Sequence, residues 1–70
     1  MQWEMGNDRI LRAEKQDVSA AMYLTDMRSR WNFKIYKEGI LVFKSGPYIQ
    51  ARRARKAAEE IIERFCDASS

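Results

Sequence analysis

The chain has 70 residues, 46% of them hydrophobic, with no histidine, one cysteine and a formal net charge of +3. That composition leaves no residues for Ser–His or Cys–His nucleophilic catalysis and too few soft ligands for zinc. It is too apolar for a disordered tail, and no apolar run approaches the roughly 20 residues of a membrane span. One small domain over residues 1–70 is expected, burying only about 60% of its unfolded surface.

The N-terminus, Met1-Gln2-Trp3-Glu4, lacks the basic and apolar regions of a secretory signal. Cys66 has no partner cysteine and fits a reducing compartment, so a cytoplasmic protein without cofactor or metal is expected. Residues 1–27 read as strands. Gln2 to Met5 forms a short one, Gly6-Asn7-Asp8 a turn and Arg9 to Glu14 a second. From Val18 to Met27 the alternation of Val18, Ala20, Met22 and Leu24 competes with a short helix capped by Asp17. Strand is preferred, because a lone two-stranded hairpin is not stable and needs more sheet beside it.

The clearest signal is a hairpin over 30–45. Trp31, Phe33 and Ile35 alternate with Asn32, Lys34 and Tyr36, and a second β-prone run spans Ile40 to Lys44. A two-residue Glu38-Gly39 loop would pair Phe33 with Lys44 and mix the faces. A three-residue Lys37-Glu38-Gly39 loop pairs Tyr36 with Ile40, Ile35 with Leu41, Phe33 with Phe43 and Trp31 with Ser45. The second register is expected, since it gives one continuous apolar face of Trp31, Phe33, Ile35, Leu41 and Phe43. Asn32, Lys34, Tyr36, Ile40, Val42 and Lys44 then take the other face, where Ile40 and Val42 could contact thymine methyls or be covered by another subunit, with cover by the N-terminal segment the leading expectation. Gly46-Pro47 is expected to end the strand.

A helix follows over 49–66, with Ala51, Ala54, Ala58, Ile61, Ile62 and Phe65 as its apolar stripe, and 67–70 reads as a frayed tail. The fold class is therefore α+β: an antiparallel sheet of three or more strands with one C-terminal helix on one face. Trp31, Phe33, Phe43 and Phe65 fit the core by spacing; Trp3 is either core, the preferred reading, or an edge or interface residue.

Function is legible mainly in charge. From Arg28 to Lys56 the chain carries nine basic residues against the single acid Glu38, a local +8, while the remainder carries four against nine. A basic face of this kind points to a polyanion. Arg52, Arg53, Arg55 and Lys56 stand at the helix start, where cations oppose the macrodipole and Arg55–Glu59 and Lys56–Glu60 pairs would offset only part of the cost. Phosphate binding explains that arrangement, since helix N–H groups and arginine forks both face anions there. Lys34, Lys37 and Lys44 extend the patch, and Asn32 and Tyr36 share the hairpin's polar face. Glu59 and Glu60 lie beside cations, with nothing to raise a carboxyl pKa for acid catalysis, so no enzyme activity is expected.

The run Trp31-Asn32-Phe33-Lys34-Ile35-Tyr36-Lys37-Glu38-Gly39-Ile40, then Lys44-Ser45-Gly46-Pro47-Tyr48, then Ala51, Ala54 and Ala57-Ala58, resembles a known pattern. It resembles the DNA-binding domain of plant ethylene-response factors and of mobile-element integrases, over Arg30 to Phe65. The resemblance implies a three-stranded sheet in the major groove with the helix behind it, and the small size would suit a phage or mobile-element protein by analogy. The expected function is a small non-enzymatic nucleic-acid-binding protein, DNA before RNA. The alternative is a protein–protein module acting as a homodimer or on a host protein.

Overall fold

The computed structural model describes residues 2–25 and 30–68. Within them the chain forms β1 (Glu4–Met5), β2 (Leu11–Lys15), β3 (Val18–Leu24), β4 (Trp31–Lys37), β5 (Ile40–Tyr48) and α1 (Ala51–Ala68). The strands follow one another in a five-stranded antiparallel meander, ordered β1-β2-β3-β4-β5, and α1 lies across one face. The α+β expectation holds. Strand over Val18–Leu24 also holds, because the alternation buries Val18, Ala20 and Met22 against the helix. The expected continuation to Met27, Arg28 of the basic stretch, and Ser69-Ser70 of the expected tail lie outside the described residues.

Tight turns set the registers. Lys15 pairs with Val18 across Gln16-Asp17, with Gln16 at φ 57°. The first turn is clipped by side chains: Asp8 accepts from the Ile10 amide at 3.2 Å and from both Arg12 guanidinium nitrogens at 3.2 and 2.7 Å. Those bonds, the Arg12 pair first, lower the Asp8 carboxyl to a pKa of about 2.

The central hairpin corrects the expected register. Lys37 pairs with Ile40 across two residues, Glu38 and Gly39, both at positive φ (52° and 82°). This is the two-residue turn that right-twisted strands favour. The mixing of faces that such a turn threatened is avoided by an extra residue. Tyr36 pairs with Leu41 and Ile35 with Phe43, so Val42 is bulged out and the phase of β5 is reset. Beyond the bulge Lys34 meets Lys44 and Phe33 meets Ser45. The expected pairs Tyr36–Ile40, Ile35–Leu41, Phe33–Phe43 and Trp31–Ser45 are therefore all displaced. Leu41 moves to the outer face and Ile40 leaves it, while Trp31, Phe33, Ile35 and Phe43 keep the helix side.

Gly46-Pro47 does not end the strand. A second irregularity lets β5 run on to pair Tyr48 with Trp31. Pro47 is tolerated because β5 is an edge strand. Gly46 has φ 137°, and a Cβ there would collide with the Asn32 side chain and lie 3.0 Å from Asn32 Cα. Continuing the strand delays the helix to Ala51, leaving Ile49 73% exposed, and Asp67 and Ala68 belong to the helix instead of a frayed tail.

The core sits between β3, β4 and α1. Val18, Ala20, Met22, Phe33 and Ile35 from the sheet meet Ala54, Ala58, Ile62 and Cys66 from the helix, all buried. The small Ala54 and Ala58 let the helix start approach the sheet closely; Ile62, Phe65 and Cys66 fill the wider end. Phe33 stacks between Phe43 and Tyr48, with ring centroids at 6.1 and 5.8 Å. Trp3, Trp31 and Phe65 pack on the core's margin, but Phe43 is only partly covered, at 38% exposure.

Candidate nucleic-acid interface

The basic residues divide between two surfaces. Lys34 and Lys44 are direct cross-strand partners on the sheet face opposite the helix, and the register puts Asn32 and Tyr36 on that same face. Arg52, Arg53, Arg55 and Lys56 are exposed on the helix layer. Lys37 lies at the hairpin end, pairing with Ile40. Asn32, Lys34, Tyr36 and Lys44 thus come together as a set, as do Arg52, Arg55 and Lys56; the two sets do not merge.

The helix-start set is built on α1, whose apolar stripe against the sheet turns the intervening positions outward. Arg52, Arg55 and Lys56 line a shallow concavity with Gln2, Trp3 and Glu59. Arg53, about 100° further round the helix from Arg52, points to the other flank. The first turn of the helix holds no acid.

The salt bridges expected to offset these cations do not form. Glu59 accepts a hydrogen bond from the Trp3 indole Nε1 at 2.9 Å, and Glu63 pairs with Lys15 Nζ at 2.6 Å. Each of these acids is engaged by a residue from the N-terminal segment, Trp3 just before β1 and Lys15 in β2, not by the helix's own cations. Among the described residues Arg52, Arg53, Arg55 and Lys56 make no ion pair. Trp3 is the residue that sequence reasoning missed here. It is 56 positions from Glu59, and nothing local connects them.

The outer sheet face adds a second missed residue, Tyr23. Its ring lies under Lys34 Nζ, 5.7 Å from the centroid. The alternation that buries Val18, Ala20 and Met22 already turned Ser19, Ala21 and Tyr23 outward, so the signal was present. Lys44 and Asn32 border a concavity with Tyr23, Ser45 and Gly46. Tyr36 borders another, floored by Ser19 and Ala21 and closed on its far side by Glu4, Arg12 and Glu14.

The edge strand departs furthest from expectation. Ile40, Leu41, Val42 and Phe43 are 67, 46, 39 and 38% exposed. The N-terminal segment does not cover Ile40 and Val42, because the meander carries β1 and β2 to the opposite edge of the sheet. Among the described residues no group of three or more histidine, cysteine or acidic side chains is arranged to hold a metal, and no helix is long and apolar enough to cross a membrane. Comparisons with family models, with curated proteins and with solved structures give no significant match to this chain.

Proposed function

We propose that this chain is a small non-enzymatic nucleic-acid-binding protein whose helix-start cations hold backbone phosphate. One observation carries the reading: Arg52, Arg53, Arg55 and Lys56 are exposed at a helix N-terminus and make no ion pair among the described residues, the expected partner Glu59 accepting instead from Trp3. Cations left unpaired beside the positive end of a helix dipole are unfavourable for folding alone. A phosphate contacts the exposed amides and the guanidinium forks together and relieves that repulsion. The resemblance over Arg30 to Phe65 favours DNA over RNA, although it would set the sheet, and not the helix start, against the duplex. The test is a titration of labelled duplex and single-stranded oligonucleotides at two salt concentrations. Four phosphate contacts predict about a hundredfold loss of affinity between roughly 50 and 200 mM salt. Absence of binding to every oligonucleotide at the lower salt would overturn the reading.

A second reading, a protein–protein module, is favoured by the uncovered apolar edge. A nine-residue edge strand with four consecutive exposed apolar side chains is a template for another chain, although the Val42 bulge, Lys44 and Pro47 blunt it. Sedimentation of the wild type should then reveal a concentration-dependent dimer that Leu41→Lys dissolves. A strict monomer at high micromolar concentration removes the dimer form of this reading.

A further inference from the structure

We infer that the sheet face opposite the helix is a second nucleic-acid site, and that it takes a single strand in preference to a duplex. The inference rests on the nucleic-acid reading and specifies what the other surface of the molecule would bind. Its residues are Tyr23, Asn32, Lys34, Tyr36 and Lys44.

Charge is the first argument. Lys34 and Lys44 are direct cross-strand partners, so their Cβ atoms are about 5 Å apart and like charges there oppose pairing. No acid lies on this face from β3 to β5. The acids of the face, Glu4 and Glu14, stand on β1 and β2 with Arg12. The face is therefore divided across its width, and an anionic strand is guided along the β3–β5 side.

Aromatic placement is the second argument. Tyr23 is the cross-strand partner of Asn32, and Tyr36 lies four residues further along β4, a separation of about 13 Å. Lys34 lies between them, over the Tyr23 ring. Two rings flanking a lysine form the combination that holds single strands, in which bases stack on rings and cations follow the phosphates. Small Ser19 and Ala21 leave the floor beside Tyr36 open. The Asn32 amide, seated over Gly46, makes no hydrogen bond among the described residues and is available to a base edge.

Width decides between single strand and duplex. A major groove about 12 Å wide admits a helix or a two-stranded ribbon. Five strands spaced about 4.8 Å apart make a face about 19 Å across. Sinking the β3–β5 side into a groove would drive Glu4 and Glu14 toward the phosphate wall. A single strand needs no such depth and can lie across the open surface.

The test uses the full chain with labelled oligo-dT, oligo-U and a mixed-sequence duplex at low salt. Tyr23→Leu with Tyr36→Leu should weaken single-strand binding by about 25-fold or more, from two lost stacking contacts, and leave duplex affinity unchanged. The dT and U arms distinguish DNA from RNA. Lys34→Gln with Lys44→Gln, which leaves the core untouched, should give the same selective loss should the tyrosine variant fail to fold. Amide shift changes with oligo-dT should centre on β3 and β4. Equal losses for single strand and duplex, no loss in either variant, or shift changes confined to Arg52–Lys56 overturn the second site while the binding reading survives. No binding of any probe by the wild type overturns both.

Discussion

Arg52, Arg53 and Arg55 replaced together by glutamine should remove duplex binding almost entirely while leaving the fold intact. Each phosphate contact contributes about 0.9 to the slope of log affinity against log salt, so three lost contacts should flatten that slope by nearly 3. The same relation puts the loss of affinity near 0.1 M salt at about 10²- to 10³-fold. Glutamine keeps helix propensity and most of the side-chain length, so the change is one of charge. The side chains are exposed, and Ala51, Ala54 and Ala58 still face the sheet. Thermal stability should hold or rise, because three cations leave the positive end of the helix. Loss of binding together with a raised melting temperature separates a functional cluster from a structural one. If instead the triple variant retains full duplex affinity, phosphate is held elsewhere. A protein interface built on Ile40 to Phe43 lies on the edge strand, and the same variant should leave it intact.

That contrast shows what could be read from the chain directly. The helix stripe, the apolar face of Trp31, Phe33, Ile35 and Phe43, and the separation of Lys34 and Lys44 from the helix-start arginines all follow from period and register. They are local quantities. The hairpin register was legible only in part, because two local rules conflicted. Turn chemistry asked for Glu38-Gly39 alone, and facial continuity asked for one residue more. The chain satisfies both by bulging Val42, a solution no whole-register choice contains. Strand continuation through Gly46-Pro47 was hidden for a related reason, since an edge position removes the penalty that proline carries in a central strand. The exposure of Ile40 and Val42 depends on strand order, and the Trp3–Glu59 and Lys15–Glu63 contacts span 56 and 48 positions. Contacts at that separation have no local signature, yet the first of them engages Glu59, the expected partner of Arg55.

Phe33→Ala should be the most damaging single substitution in the sheet. Phe33 is 1% exposed and is stacked between Phe43 and Tyr48. Deleting a buried phenyl ring costs about 3–5 kcal/mol through lost transfer energy and the cavity left behind. A 70-residue chain has a total stability of about 4–10 kcal/mol, so the variant is expected to lose a third of that or more. Urea unfolding followed by circular dichroism should put its midpoint far below that of the wild type, or find it unfolded in buffer. Tyr48→Phe is the matched control. It keeps the ring on Phe33 and removes only the hydroxyl that meets Ser45 Oγ at 3.0 Å, for about 0.5–1.5 kcal/mol. A Phe33→Ala cost no larger than the control's would mean that the helix does not dock over β4 as described. The consequence reaches function through geometry. Phe33 stands between Asn32 and Lys34, whose side chains take the opposite face, so the packing that fixes Phe33 below the sheet also fixes both polar groups above it. A partly folded Phe33→Ala should therefore lose single-strand binding before duplex binding, because the helix-start arginines are set by the helix itself.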